Sequence, residues 1–414
     1  MRKLIYCIFS ITLLTACAET FEIRTDIMRD KFDNGDFSTD TTAPQSQDAL
    51  SLLINGISEF HAGNYDSSDT LFEEFNHRNI PTVGTDISRE ASSIIAGPMS
   101  MSYRPYMMDT LFVSYYQILD AIAAGRWNDA RVIINQSYAR QQDMSREYKQ
   151  LLESTQRAYK NHAQTIDQLN ENTSQWAAYS DIMNPALMYL GGIYFLSDGD
   201  WQNATTYLTR ASGMTGAAKP ITTDLKMAEQ RRMPTNTTWV FIETGFAPRL
   251  VQERITLPYV TSNGLSLLTI ASANPVFDNS YIRISGATQI ADIDKMFMTE
   301  YRQYHINDVL RALATTASRV VLQSVANHYD SKNDSFWGLA AAIYSIATTS
   351  ADVRTWPLLP KRIYVMRVAT PKSGLIEITS GGNVITTIDV PRSGNYIAYV
   401  RVMNQTSVNI MQLK

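Results

Sequence analysis

Cysteine is nearly missing from this chain of 414 residues: there are two, Cys7 and Cys17, both near the N-terminus. From residue 18 onward no thiol is available for a nucleophile, a disulfide or a thiolate metal site, so stability must come from core size. Histidine is scarce too. His61, His77, His162, His305 and His328 show no HExxH or similar ligand spacing, and each reads as a surface or internally satisfied residue. Charged residues make up only 18%, with 36 Lys and Arg against 40 Asp and Glu. No basic stripe is present, which argues against nucleic acid as a partner. Long apolar runs are also lacking. Leu4 to Leu14 and Phe336 to Ala347 are each too short to cross a bilayer as a helix. There is no P-loop, no dinucleotide-binding glycine pattern and no GxSxG elbow, and nothing implies a cofactor.

What the N-terminus does have is Arg2 and Lys3 followed by the run Leu4 to Leu14, which reads as a secretory signal. The next residues, Leu14-Thr15-Ala16-Cys17, resemble the lipobox of bacterial lipoproteins. That resemblance implies a signal peptide over 1–16, cleavage after Ala16, lipid on Cys17 and a tether over 17–48. Ala18 stands where lipoproteins kept in the inner membrane usually carry Asp, so the resemblance favours the outer membrane, facing the periplasm. Several acyl chains would anchor durably, at about 0.8 kcal/mol per buried methylene.

The first half contains a recurring signal: glycine followed two residues later by an aromatic. It occurs at Gly35/Phe37, Gly63/Tyr65, Gly125/Trp127 and Gly199/Trp201. The last three follow helical apolar patterns, as in Leu111-Phe112-Tyr115-Ile118-Leu119-Ile122, and a second helix is expected behind Trp127 and Trp201. Glycine ends the first helix, the aromatic seats the turn, and a small alanine lets the second helix pack closely. This resembles tetratricopeptide repeats, although the glycine spacings of 28, 62 and 74 depart from a regular 34. A generic helical bundle with similar turns is the alternative. Thr82 to Pro105 reads as partly irregular, and Gln141 to Asn170 as a long solvent-facing helix or hairpin.

The composition changes after Gly213, and the chain reads as α+β: a TPR-like helical domain over 49–217, a linker over 218–238, and an antiparallel β-rich domain with two helices over 239–414. Strands are expected at 239–243, 250–257, 265–270, 281–284, 362–368, 375–379, 384–390 and 396–402, with helices at 308–327 and 336–347. Hairpin turn chemistry recurs at Pro371–Gly374, Ser380–Asn383 and Pro391–Gly394.

Two segments carry charge inside apolar surroundings: Glu243, Arg249 and Arg254 in the first, and Asp352, Arg354 and Trp356 in the second. Phe241-Ile242-Glu243-x-Gly245-x-Ala247-Pro248-Arg249 and Ala351-Asp352-x-Arg354-x-Trp356 resemble a family of bacterial envelope lipoproteins with tetratricopeptide-like N-terminal halves. The resemblance covers about residues 110–370, and Pro357 departs from it. It implies no established activity. It does imply an envelope protein partner, within reach of the cell-wall synthesis machinery. Glu243, Arg249, Asp352 and Arg354 are expected to form one structural ion cluster with Trp356 beside it, and Glu243 is the best acid/base candidate if there is chemistry. Asp292 and Asp294 are a weak calcium candidate. The leading functional expectation is a non-enzymatic scaffold or adaptor; the alternatives are a peptidoglycan hydrolase and a glycan-binding module.

Overall fold

The computed structural model describes residues 20–38, 48–78, 102–161, 184–261, 264–280, 282–302, 305 and 351–414. Cys17 and the signal, the helices expected at 308–327 and 336–347, His162 and His328 lie outside the described residues.

Eight helices precede the first strand among the described residues: α1 (20–33), α2 (Ala49–His61), α3 (Tyr65–Arg78), α4 (Met107–Ala123), α5 (Trp127–Asn161), α6 (Pro185–Ser197), α7 (Trp201–Met214) and α8 (Lys219–Glu229). The four glycine turns share one geometry. Gly35, Gly63, Gly125 and Gly199 have φ of 76°, 81°, 71° and 73°, the left-handed conformation that side chains resist. Each glycine N–H donates three residues back, and the next N–H donates five residues back, as in Arg126 N to Ala121 O and Asp200 N to Phe195 O. This pair of bonds closes the preceding helix. Tyr65, Trp127 and Trp201 then begin α3, α5 and α7. Three residues on, Ser68, Ala130 and Ala204 are completely buried. Tyr65, Trp127 and Trp201 are themselves partly buried and packed against the core. Trp127 lies against Tyr194 at 5.2 Å with the Lys414 ammonium 5.4 Å from its ring centroid, so one face stays near solvent.

The paired helices do not form an open array. All thirteen residues of α6 are buried, as are fourteen of the seventeen in α4. A helix apolar on every side must be covered on every side. On one side, α5 and α7 cover α6: Tyr194 Oη donates to Trp127 O and Tyr207 Oη to Ile134 O. Close approach of α6 to α7 depends on Gly192, where a Cβ would sit 2.6 Å from the Leu208 side chain. The other side is the sheet.

That sheet has the order β4-β5-β1-β8-β9, from β1 (Thr237–Thr244), β4 (Thr288–Asp292), β5 (Arg362–Ala369), β8 (Tyr396–Val402) and β9 (Ser407–Gln412). Two separate hairpins are β2 (Arg249–Thr261) with β3 (Gly264–Val276), and β6 (Leu375–Ser380) with β7 (Asn383–Asp389). The α+β class is as expected. The purely antiparallel sheet is not, because β1 and β8 run parallel. Between β5 and β8 the chain crosses the sheet as the β6–β7 hairpin, whose Ile376, Ile378 and Ile388 pack on Val240 and Ile242. This crossover returns β8 on the far side of β1 in the same direction.

One hydrophobic cluster runs from Phe60, Tyr116 and Leu190 in the helices to Phe241, Ile363 and Tyr399 in the sheet. The stretch expected to be a linker instead contains α8, opened by Pro220 in its first turn and anchored by buried Asp224. The expected tether contains α1, which docks on the β half: Arg29 donates to Ala247 O and Pro357 O, and Glu22 accepts from Gln252 N. Residues 282–284 are not a strand, whereas β4, β9 and a helix over 293–302 (α9) form without having been expected. The long polar helix is real: α5 runs unbroken to Asn161.

Candidate functional site

Strand parity decides where the charged residues point. On β1, Trp239 and Phe241 join the core shared with the helices, while Val240 and Ile242 face the β6–β7 hairpin. On β8, Ile397 and Tyr399 take the helical side, and Tyr396, Ala398 and Val400 the other. Glu243 and Arg401 continue the helical-side rows and are direct partners in the β1–β8 register.

Around them lies a buried polar cluster. Glu243 Oε2 accepts from Tyr399 Oη at 2.7 Å, Tyr116 Oη at 3.0 Å and Arg401 Nη1 at 3.1 Å. Arg401 Nη2 also donates to Gly245 O at 2.8 Å and Leu358 O at 3.3 Å. Glu243, Arg401, Tyr116 and Tyr399 are each 0% exposed. Burial raises the Glu243 carboxyl above its usual range, while Arg401 and the two hydroxyls pull it back. Burial, followed by the Arg401 charge, drives His61 well below its usual value, so its ring is neutral. Its Nε2 is 3.4 Å from Tyr399 Oη, whose proton is turned toward Glu243.

The expected four-residue ion cluster does not assemble. Glu243 pairs with Arg401 and Arg249 with Asp26 at 3.2 Å, both partners outside the expected set, and within it only Arg354 and Asp352 pair. The last is a local fork, Nε to Oδ1 at 2.8 Å and Nη2 to Oδ2 at 2.7 Å. Arg254 is exposed on β2. Trp356 is buried against Phe72 and Tyr116, with centroids 6.0 and 6.2 Å away. The two segments do lie together, through different bonds. Lys361 N donates to Thr244 O and Ala247 N to Leu359 O, while Arg29 and Arg401 each bridge carbonyls of both segments. Asp292 and Asp294 are occupied by Arg362 and Lys361, and Asp292 also caps α9 through Lys295 N. Among the described residues no three His, Cys, Asp or Glu side chains converge as a metal site. His77 is exposed; His305 is buried and pushed down to about 4 by desolvation.

A second pair of buried carboxylates went unnoticed in the sequence. Glu300 accepts from Met107 N and Met108 N at the start of α4, and Asp109 accepts from Tyr103 Oη at 2.7 Å and Tyr106 N. Burial pushes Glu300 up to about 8 and Asp109 up to about 7. Such shifts can mark catalytic groups. Here both carboxylates are closed off and capping a helix N-terminus, so they read as structural.

A cleft of about 590 Å³ lies beside the Glu243 cluster. Gly245, Phe246 and Arg249 form one wall, with α1, residues 276–280, Ile282 and the Val402–Asn404 stretch around it. Gly245 takes φ of 60°, and a Cβ there would sit 3.0 Å from Asp278 Oδ2, so this turn accepts glycine alone without strain. No family model, curated protein or solved structure matches the chain.

Proposed function

We propose that the protein is a lipid-anchored envelope lipoprotein of the outer membrane that serves as a non-enzymatic adaptor for an envelope protein. The observation carrying the second half of this reading is the burial of Glu243. Its carboxylate has no exposed surface and already holds three donors, so the sequence's best acid/base candidate cannot meet a substrate. The helix-turn-helix pairs favour protein binding, but not through an inner groove, because the sheet fills the side that a solenoid would offer. The outer helices and the cleft at Gly245–Arg249 are the surfaces left.

Incubating the soluble chain with purified peptidoglycan tests the adaptor reading. The expected result is neither muropeptide release nor co-sedimentation, together with specific protein crosslinks in cells. Release would make it an enzyme, and co-sedimentation alone a glycan binder.

Anchoring is tested separately. Among the described residues no helix is long and apolar enough to cross a membrane, so in this reading attachment rests on Cys17. Cys17→Ser should yield folded protein that leaves the membrane fraction after detergent-free lysis. Continued sedimentation with outer membranes would contradict the lipid anchor. Ala18→Asp should shift the protein toward the inner membrane.

A further inference from the structure

The 590 Å³ cleft falls within the size range of small-ligand sites, and its charged residues are unevenly committed. Asp278 accepts from Phe246 N, Ser280 N and Ser280 Oγ, which spends it on holding its own loop. Asp33 accepts from Asn404 N. The two arginines have capacity to spare. Arg29 donates through Nε and Nη2 to Pro357 O and Ala247 O, which fixes its plane and leaves Nη1 without a hydrogen-bond partner among the described residues. Arg249 makes an ion pair with Asp26 and no hydrogen bond among the described residues. The Asp26 side chain is 57% exposed, so this pair is a weak surface contact that a better acceptor can displace.

The surroundings narrow the ligand further. Phe246 carries the Arg29 guanidinium 5.1 Å and the Arg401 guanidinium 5.3 Å from its ring centroid. Phe277, Val276, Ile282 and Met403 supply apolar wall beside these cations. The Arg29 guanidinium is lowered to about 10, first by burial and next by the neighbouring Arg249 charge, which outweighs the opposing charges of Asp278 and Asp26 singly, so the two cations sit close enough to repel each other. An anion between them would relieve that repulsion.

We propose that this cleft binds a carboxylate borne on a partly apolar chain, such as the C-terminal residue of a peptide, with Arg249 and the free edge of Arg29 gripping the oxygens. Arginine suits the task because its planar fork matches a carboxylate. Asp26 acts as an internal stand-in that the incoming carboxylate replaces. The assignment goes beyond the adaptor reading and holds whether or not the partner is a protein.

The test is calorimetric titration of the mature chain with N-acetyl-leucyl-alanine, its C-terminal amide and inorganic phosphate. The free acid should bind and the amide and phosphate should not, since only the acid offers both a carboxylate and an apolar chain. Arg249→Gln should weaken binding of the acid by about 10- to 100-fold while leaving the melting temperature close to that of the parent, because the side chain is partly exposed and makes only the weak Asp26 pair. Asp26→Asn should tighten it about two- to fivefold by removing the competitor. A merely structural role for Arg249 gives no such gain. Equal binding of acid and amide, phosphate binding as tight as the acid, no binding at all, or an Asp26→Asn variant no tighter than the parent would each overturn the proposal.

Discussion

Replacing Arg401 with methionine is expected to cost about 3–5 kcal/mol of stability, read as a lower urea midpoint. The guanidinium is the only cation hydrogen-bonded to Glu243 among the described residues, and it also satisfies the carbonyls of Gly245 and Leu358. Methionine fills some of the space and leaves a buried carboxylate without its cation. Tyr399 and Tyr116 still donate to it, which keeps the loss from being larger. The variant should also show a stronger pH dependence than the parent, of the same sign. Burial already holds the folded-state pKa of Glu243 above 4.5, and removing Arg401 removes the largest opposing influence. The native state then keeps a proton that the unfolded chain releases, so the variant is most stable below about pH 4.5 and loses stability as pH rises through the folded value. Adding Glu243→Leu to Arg401→Met should restore part of the loss, because the stranded charge goes with it. Additive losses, or a single variant within about 1 kcal/mol of the parent, would show that the pair is not what holds β1 to β8.

Asp224→Ala is expected to be comparably damaging, at about 3–5 kcal/mol. One completely buried carboxylate joins four elements: Oδ2 accepts from Tyr189 Oη of α6 and Trp239 Nε1 of β1, each at 2.7 Å, and Oδ1 accepts from Arg367 Nε of β5 at 2.5 Å. Alanine orphans three donors at once, and the charged one is mostly buried. Asn should rescue little, since its amide supplies one acceptor oxygen for three donors and turns two N–H groups toward them. Denaturation followed by far-ultraviolet dichroism would decide. A variant as stable as the parent would return α8 to the status of a dispensable connection.

The same residue explains why 218–238 looked like a linker. α8 is polar along most of its length and buries only Ile221, Asp224 and Ala228, too thin a stripe for a periodicity argument to find. Its attachment is a hydrogen-bonded acid, and sequence does not disclose partners that lie across the chain. The glycine turns were legible for the opposite reason: their requirement is local, a left-handed residue closing a helix, which all four carry, followed at three of them by a helix start. Strand positions were legible where alternation or turn chemistry was strong. β4 and β9 are short edge strands and gave little signal.

The cation paired with Glu243 is Arg401, not one of those near it in sequence. Arg249 and Arg254 are near in sequence, whereas Arg401 stands 158 residues away on the neighbouring strand. A usable signal did exist. Trp239–Glu243 and Ile397–Arg401 are two apolar runs that each end in one charge, of opposite sign, at the same parity. In a sheet covered on both faces such charges must find each other. Tyr116 and His61, contributed by helices far back in the chain, had no comparable mark.

The covered position of α4 and α6 also bears on how the chain is made. A polypeptide leaves the ribosome N-terminus first, so Phe60, Tyr115, Tyr116 and Tyr189 emerge long before the strand Tyr396–Val402 that helps close over them. During that interval the newborn helices carry an uncovered aromatic face, a surface prone to aggregation and apt for chaperone binding. Arg401 arrives 158 residues after its partner Glu243. Completion of the helical half therefore waits on strands synthesised long after it.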